Sequence, residues 1–388
     1  MLHAKQPLIG LEVEFHLIDK EGFIVNDSKK ILDDAQINDC IVPEISQSMI
    51  EVISQPKKTI TELAKSFTQQ LHLTRNIAKK YGLRLVPSSS VGFANLKKWP
   101  TVKFQNKEKI MGKDKLDITL HVCGTHVHVD KSDHIVKQHT VMTALDPLFT
   151  LMSSTPFFES QNNLNNYRVK VYRNGAYENF QAHGGLLPYV KTSQELQSRY
   201  FELYSKWVEQ CTQANGDTSQ YTKYNTCWGP IRFSQKTIES RVSDANLTSY
   251  VFALAAVFMG VNRQLEDIKE ENGLYFIQGK QLPTFEQLKY FEEQGIQKGI
   301  EDVQLAQYLQ QLISFAKKGL NDDEKVFLKP FETMLSSKKN FADKITDFAK
   351  STGEYKDKQI SQQGCNLVRS FIADNFEGDL DECLALCK

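Results

Sequence analysis

Hydrophobic and polar residues alternate at the start of the chain. From Ile9 to Leu17 every odd position is apolar, while the even positions include Glu12 and Glu14. This period of two predicts a β-strand with one apolar face, and it places the two carboxylates about 7 Å apart on the other face. Carboxylates this close repel each other unless a cation lies between them, and oxygen ligands favour Mg²⁺ or Mn²⁺. The alternative is an ordinary solvated strand face.

A second stretch of alternation, from Ile118 to Asp130, changes phase at Gly124. Before the glycine the apolar residues are even-numbered, and after it they are odd-numbered. A change of phase within a strand is what a β-bulge produces, so we expect a bulge at Gly124. With that bulge, three histidines can face the same side of the sheet, namely His121, His126 and His128.

A third strand is predicted from Thr237 to Ser243. Glu239 and Arg241 lie two residues apart and therefore on one face. Glu239 is either a further metal ligand or the partner of Arg241 in an ion pair. From Asn246 to about Leu265 the chain is strongly apolar, which predicts a buried helix.

The remaining pattern is largely helical. A capping box at Thr59 and Glu62 predicts a helix that ends near Gly82, followed by a strand at 83–86. Helices are also expected at 140–152 and 193–211, with a long loop at 161–188 between them. The chain turns rich in Lys, Gln and Glu after residue 268. We therefore predict a catalytic region at 1–268 and a mainly helical region at 269–388.

Composition narrows the function classes. Lys plus Arg equals Asp plus Glu, 47 each, so charge gives no reason to expect nucleic acid or a membrane surface as a partner. The longest apolar run, 251–261, is too short to span a bilayer. The seven cysteines are scattered without a Cys-x-x-Cys pair, which favours reduced thiols and a cytoplasmic location. Self-association into a homo-oligomer is left open.

A sheet could bring these strand residues together on one face. Several carboxylates with one or two imidazoles suit two or three divalent cations, and such cations with a positioned arginine are what phosphoryl transfer requires. Glu44 and Glu51 are seven residues apart, so an unbroken strand would point them to opposite faces. Of the two, we favour Glu51 as the metal ligand.

Five blocks of the sequence, within residues 8–262, resemble the carboxylate–amine ligases related to glutamate–cysteine ligase type 2, in the glutamine-synthetase superfamily. The order and the spacing of the blocks both agree with that family. The blocks are Gly10–Phe15; Glu44 with Glu51; Gly124–Val129; Ser153–Phe157 followed by Arg168; and Thr237, Glu239, Arg241 and Asp244.

The resemblance implies an α+β fold: a glutamine-synthetase-like antiparallel funnel sheet with flanking helices. It implies an ATP-dependent ligase that joins an amino-acid carboxylate, above all the γ-carboxylate of glutamate, to an amine such as cysteine through an acyl phosphate. Its partners are therefore small molecules, and its cofactors ATP and Mg²⁺ or Mn²⁺. The implied roles are metal ligation by Glu12, Glu14, Glu51, His126 and Glu239; catalysis by Arg241 and Glu51; ATP binding by Arg241 and His128; and substrate binding by Arg168 and Glu44.

Three places depart from the family pattern: Asp130 replaces a glycine, the run Tyr172–Gly175 is divergent, and 290–296 is acidic where the family is basic. Two alternatives therefore stay open. A His-x-His pair with a distant glutamate is also typical of a metal-dependent hydrolase or a cupin-like oxygenase that uses Zn or Fe. A degenerate ligase fold that only binds ligands is the other alternative.

Overall fold

The computed structural model describes residues 6–34 and 39–386. Seven strands form the main sheet: β1 (Ile9–Ile18), β2 (Ile41–Pro43), β3 (Met49–Ile53), β4 (Arg84–Val86), β5 (Gly124–Asp130), β6 (Ile231–Phe233) and β7 (Thr237–Asp244). Their order is β2-β3-β1-β5-β7-β6, β4 pairs with the end of β1, and all pairs are antiparallel. A smaller sheet contains β8 (Lys269–Glu271), β9 (Leu274–Ile277) and β10 (Lys280–Gln281), and a hairpin pairs β11 (Tyr355–Lys356) with β12 (Gln359–Ile360).

Helices cover the apolar face of the main sheet and build the C-terminal region. They are α1 (Ser28–Asp34), α2 (Ile60–Lys80), α3 (Val102–Met111), α4 (Lys113–Thr119), α5 (Ile135–Ala144), α6 (Tyr167–Val171), α7 (Gln181–Gly184), α8 (Ser193–Gln213), α9 (Thr248–Asn262), α10 (Phe285–Lys298), α11 (Val303–Lys318), α12 (Lys329–Ser337), α13 (Phe341–Ser351) and α14 (Gln362–Leu386). Among the residues described, no helix is both long and apolar enough to cross a bilayer.

The burial pattern of β1 confirms the strand that was predicted from the alternation of apolar and polar residues. Its odd-numbered side chains from Ile9 to Leu17 are no more than 1% exposed. The Phe15 ring packs 5.2 Å from that of Phe376 on α14. The apolar face therefore anchors the strand to the helices, and its even-numbered residues are left for the other face of the sheet.

The largest buried cluster extends from the sheet to the C-terminus. Every residue of α9 except Ser249 is buried. Side chains of α11 and α14, such as Leu309 and Phe376, belong to the same cluster as β1. The C-terminal helices thus share the core that supports the sheet, and the predicted boundary at residue 268 stays a prediction.

Several predicted elements are confirmed at their ends. Helix α2 begins where Thr59 Oγ1 accepts the backbone N–H of Glu62 at 3.1 Å. It ends before Gly82, whose φ of +69° suits glycine. Helix α5 is shorter than expected, because Pro147 cannot donate a helical hydrogen bond and a 3₁₀ turn at Asp146–Thr150 follows instead.

The strand predicted from Ile118 is wrong before Gly124. Residues Lys113–Thr119 form α4, and β5 begins only at Gly124. The apolar positions in question include Leu120, which lies four residues after Leu116 and packs with it against Ile45. The apparent change of phase at Gly124 is therefore the point where a helical repeat ends and the alternation of a strand begins.

The long loop predicted at 161–188 is also wrong in part. It contains α6, a π-helical turn at Tyr172–Ala176, a 3₁₀ turn at Glu178–Phe180 and α7. Each of these turns has only three to five residues. Elements this short show no helical period in the sequence.

Candidate active site

The polar face of the main sheet gathers acids around one histidine. In the register, Glu12 lies opposite His126 and Glu14 lies opposite Glu51. His126 Nδ1 is 3.1 Å from Glu12 Oε2 and 3.8 Å from Glu51 Oε1, while Nε2 is 3.8 Å from Glu14 Oε1. Glu239 Oε1 lies 3.7 Å from the same Nδ1, so the structure brings all five predicted metal ligands together at His126.

One of these five ligands, Glu239, also contacts two arginines. Its carboxylate contacts Arg241 through Oε1 and Arg232 through Oε2, the latter at 2.5 Å, and it is fully buried. His128 lies opposite Glu239 in the register, with Nε2 3.1 Å from Glu12 Oε1. The site therefore has an acidic side around Glu12 and a basic side around Glu239.

Crowding raises the pKa of two carboxyl groups on the acidic side. Burial, with the charge of Glu44 added, raises the pKa of Glu14 to about 8. Burial, followed by the charges of Glu44, Glu12 and Glu14, raises the pKa of Glu51 well above its usual range. The neighbouring side chains therefore do not neutralise all the negative charge of these acids. A bound cation would neutralise it.

Contacts with the histidines and arginines lower the pKa of the other two carboxyl groups, Glu12 and Glu239. Burial raises the pKa of Glu12 and Glu239, but the two imidazoles lower that of Glu12 far below its usual range, and the two arginines lower that of Glu239 to about 2. Burial and the charge of Arg241 lower the pKa of His126 to about 4. Burial also acts on His128, but contact with Glu12 outweighs it and raises the pKa.

Among the residues that the structure describes, two overlapping sets of side chains have the geometry to hold a metal ion. Ligand atoms within 4.8 Å of one another come from Glu12, His126 and Glu239 in one set, and from Glu14, Glu51 and His126 in the other. Each set offers two carboxylates and one imidazole, without a thiolate. This oxygen-rich chemistry fits Mg²⁺ or Mn²⁺.

A bulge in β7 places Arg241 at the centre of the site. Between 125 and 127 strand β5 advances two residues, while β7 advances three between 240 and 243. Arg241 and Val242 therefore both lie opposite His126. The irregularity expected at Gly124 of β5 is found on the neighbouring strand instead, because the extra residue belongs to β7.

Arg168 stabilises this bulge through hydrogen bonds to its backbone carbonyls. Its Nη1 donates to the carbonyl of Val242 at 2.8 Å and to that of Arg241 at 3.3 Å. A Cβ at Gly124 would lie 2.2 Å from Arg168 Nη2, so only glycine leaves room for the guanidinium. The backbone N–H of Gly124 donates to Glu14 Oε2 at 2.6 Å. The substrate role expected for Arg168 stays a prediction.

Two other candidates lie outside the metal-ligand sets. Glu44 is half-buried, and its Oε2 accepts the backbone N–H of Ile45 at 2.9 Å. His121 precedes β5, and its Nδ1 lies 2.7 Å from Ser90 Oγ. His121 therefore does not join His126 in the metal-ligand sets, nor His128 beside Glu12.

Asp244, the last residue of the predicted Thr-x-Glu-x-Arg-x-x-Asp block, connects β7 to two other segments. Its buried carboxylate accepts hydrogen bonds from the Ser154 backbone at 2.9 Å, from Thr155 Oγ1 at 2.7 Å and from Asn166 Nδ2 at 3.1 Å. Blocks that are about 90 residues apart in the sequence thus meet behind the bulge.

Two basic residues of the site were missed from the sequence. Arg232 comes from β6, a strand of only three residues, and Lys107 is buried on α3. The Lys107 ammonium lies 4.0 Å from the centroid of the Trp228 ring. Alternation at 231–233 was the only signal for Arg232, and nothing distinguished Lys107 from neighbouring lysines.

Several curated proteins are similar to this chain over part of their length. A Roseiflexus castenholzii protein named "putative glutamate–cysteine ligase 2" is 27% identical over 208 residues, which cover 51% of this chain and 52% of that protein. A Rubrobacter xylanophilus protein named "putative glutamate–cysteine ligase 2-3" is 25% identical over 290 residues, 71% and 74% of the two chains. The chain thus spans about half the length of the first relatives it matches.

Solved structures share the fold. A bifunctional glutathione synthetase from Pasteurella multocida superposes with a TM-score of 0.60 at 13% identity, covering 96% of this chain and 53% of that one. The glutamate–cysteine ligase of Francisella tularensis, solved in complex with AMP, gives 0.54 at 11% identity and covers 98% and 93%. The predicted α+β fold, an antiparallel sheet with flanking helices, is therefore confirmed, and it is shared with these two ligases. A model of glutamate–cysteine ligase family 2 matches residues 8–359, and the chain belongs to that family.

Proposed function

We propose that this protein is an ATP-dependent ligase that joins the γ-carboxylate of glutamate to an amine such as cysteine. The observation that carries the proposal is the division of one sheet face into an acidic side around His126 and a basic side with Arg241 and Arg232. The acidic side suits metal-bound phosphates, and the basic side suits the charge that develops during phosphoryl transfer. Family membership and the shared fold support this assignment.

The five predicted ligands would hold one or more Mg²⁺ or Mn²⁺ ions, namely Glu12, Glu14, Glu51, His126 and Glu239. When bound, such ions neutralise phosphate oxygens of ATP. Glu51 thereby acts in catalysis as a ligand. His128 is half-buried beside Glu12, and we assign it to the nucleotide.

Arg241 would bind the phosphoryl group in transit. Its guanidinium is fixed by Glu239 and by the bulge in β7, so its planar donors are already oriented before the substrates bind. Arg168 and Glu44 are assigned to the amino-acid substrate. Within the described part of the chain the Nε of Arg168 has no hydrogen-bond partner, whereas both terminal nitrogens already donate to backbone carbonyls. Glu44 is half-buried at the edge of the acidic side, where a substrate ammonium could meet it.

We infer an acyl-phosphate route, which the family resemblance implies and which these residues support. The substrate carboxylate attacks the γ-phosphorus and ADP leaves; the amine then attacks the acyl carbon, loses its proton and releases phosphate. A covalent enzyme intermediate has no candidate at Cys123, because burial raises the pKa of its thiol well above the usual range. The sequence has no Walker loop, so side chains rather than a glycine-rich loop would bind the triphosphate.

An isotope experiment tests this route. The purified chain is incubated with ATP, Mg²⁺, cysteine and glutamate whose γ-carboxylate carries ¹⁸O. We expect ADP as the nucleotide product and one ¹⁸O atom in the released phosphate. AMP with pyrophosphate would contradict the acyl phosphate, and a screen of other amines follows if cysteine alone is inactive.

Metal analysis of the same preparation tests the alternative enzyme classes. A ligase of the proposed type should require added Mg²⁺ or Mn²⁺ and turn over ATP. Tightly held Zn or Fe without nucleotide turnover would instead support a hydrolase or an oxygenase. Absence of ATP–Mg²⁺ binding by calorimetry would support a fold that has lost catalysis.

A further inference from the structure

Lys107 is a buried cation for which the described residues provide no acidic partner. It is 7% exposed, whereas Lys103, one turn earlier on α3, is exposed to solvent. Its Nζ lies 4.0 Å from the centroid of the Trp228 ring and donates to Tyr177 Oη at 3.3 Å. No carboxylate of the described residues forms an ion pair with Lys107. A buried ammonium is costly unless it is paired, so this residue needs an explanation.

The surroundings of Lys107 belong to the basic side of the site. Burial lowers its pKa well below the usual range, and the charges of Lys103, Arg241 and Arg232 lower it further, while Glu44 acts in the opposite direction. Arg241 and Arg232 already share one carboxylate, that of Glu239. This side of the site therefore has more positive charge than its own acids balance.

Aromatic rings connect Lys107 to the cleft that Arg241 lines. Trp228, beneath the ammonium, lines this cleft together with Tyr172 and Arg241. The rings of Tyr172 and Tyr177 are 5.1 Å apart, and those of Tyr177 and Trp228 are stacked at 5.7 Å. Lys107 does not itself line this cleft, and it is connected to the cleft through the ring of Trp228.

We propose that Lys107 binds an oxyanion of the reactants, a carboxylate or a phosphoryl oxygen, beside Arg241. This inference rests on the proposed ligase function and adds to it a residue that no family block contains. An anionic ligand would provide the missing counter-charge, and the low polarity of the aromatic cluster would strengthen the attraction. Trp228 and Tyr177 hold the ammonium ready for the ligand and limit the loss of side-chain entropy.

A purely structural role for Lys107 makes the opposite prediction for stability. If the lysine only packs against the rings, Lys107→Met should lower the melting temperature through loss of the cation–π contact and the hydrogen bond to Tyr177. If the charge is kept for a ligand, Lys107→Met should leave the melting temperature of the ligand-free protein unchanged or raise it, because a buried unpaired charge is removed.

The test is calorimetric binding to the full chain in two arms. The first arm titrates the β,γ-imido analogue of ATP with Mg²⁺, and the second titrates L-glutamate in the presence of that complex. We expect Lys107→Met to raise the dissociation constant of one of these ligands by about tenfold or more. Lys107→Arg should raise it less, and the matched control Lys103→Met should leave it unchanged. A loss in the first arm identifies a phosphoryl oxygen as the ligand atom, and a loss in the second identifies a carboxylate.

Two outcomes overturn the inference, and they can be told apart. Wild-type affinity of Lys107→Met in both arms overturns the role of Lys107 and leaves the ligase function intact. A wild-type protein that binds neither ligand overturns the ligase function and the inference with it. If Lys107→Met does not fold, Lys107→Gln keeps a donor toward Tyr177 without the charge and is judged by the same two arms.

Discussion

His126 is the residue on which the two metal-ligand sets converge. Burial and Arg241 keep its pKa low, so the imidazole is neutral at physiological pH and has a lone pair to offer a cation. Its Nδ1 faces Glu12 and its Nε2 faces Glu14. One neutral ring thus separates acids that would otherwise repel each other more strongly.

Glu14 gives a prediction at this scale. Glu14→Gln removes one of two carboxylates that face each other across β1 and β3, and the amide oxygen can still accept the N–H of Gly124. We expect the variant to lose about 100-fold or more of the ligase activity, because a ligand and its charge are lost. Without metal, its melting temperature should be unchanged or higher, since repulsion from Glu51 is reduced.

Steady-state assays and thermal unfolding in the presence of a chelator check both parts. Glu202→Gln, an exposed substitution of the same kind on α8, is the matched control and should change neither quantity. Full activity of Glu14→Gln would remove Glu14 from the metal site. A large fall in melting temperature without metal would assign Glu14 a structural role instead.

The sequence could predict some of these residues and not others. Glu12, Glu14 and Glu239 stand out because each lies on the polar face of an alternating strand. Arg232 and Lys107 do not, because their importance comes from contacts with Glu239 and with an aromatic cluster formed by distant segments. No local pattern records a contact of that kind.

At the scale of elements, the bulge in β7 decides where Arg241 points. Its carbonyls accept hydrogen bonds from Arg168, whose guanidinium lies against Gly124 of β5. Glycine at 124, arginine at 168 and the extra residue of β7 therefore depend on one another. The three sequence blocks that contain these features therefore contact one another around the bulge.

A double-mutant cycle tests this dependence. Gly124→Ala should lower the free energy of unfolding by about 1–3 kcal/mol, because its Cβ displaces a buried guanidinium that is already hydrogen-bonded. In an Arg168→Ala background the same change should cost much less, since the space is then free. Urea unfolding of the four proteins gives the coupling energy, and additive effects would contradict the proposed contact.

The sequence predicted the strands better than the irregularity between them. Strands β1 and β7 have long, clear alternation, and α2 has its Thr59 cap. The bulge is set by the pairing of β5 with β7, which are more than 100 residues apart in the sequence. A one-residue offset between paired strands is visible only once the register is known.

At the scale of the whole molecule, a buried ionic group ties the C-terminal region to the site. Arg173, on the π-helical turn, lies 2.6 Å from Asp146 and 3.2 Å from Glu292 of α10. The neighbouring Tyr172 lines the cleft with Arg241. The acidic segment at 290–296, which departs from the family pattern, thus supplies a partner for the divergent turn at 172–175.

This arrangement predicts how the chain unfolds. Glu292→Gln should lower the free energy of unfolding by about 1.5–3 kcal/mol, because Arg173 loses one charge-assisted hydrogen bond while its buried pair with Asp146 remains. Its exposed neighbour gives the control Glu293→Gln, which should stay within about 0.5 kcal/mol of wild type.

The number of transitions in the same urea experiment tests the boundary at residue 268. The core is shared by the sheet and the C-terminal helices, so we expect one transition, followed equally by near- and far-ultraviolet circular dichroism. Two separate transitions would support an independent region at 269–388.

Ligand binding should stabilise the entire chain if the acidic side of the site is a Mg²⁺ site. A ligand that binds only the folded state adds about 2.7 kcal/mol at a concentration one hundred times its dissociation constant. We expect Mg²⁺ alone to raise the melting temperature modestly and Mg²⁺ with the imido analogue of ATP to raise it further, since the phosphates bring additional ligands. Glu14→Gln should remove most of both shifts, and Glu202→Gln should retain them. A shift with Zn²⁺ alone would favour a hydrolase, and the absence of any shift with Mg²⁺ or Mn²⁺, with or without nucleotide, would show that these carboxylates do not form a hard-metal site.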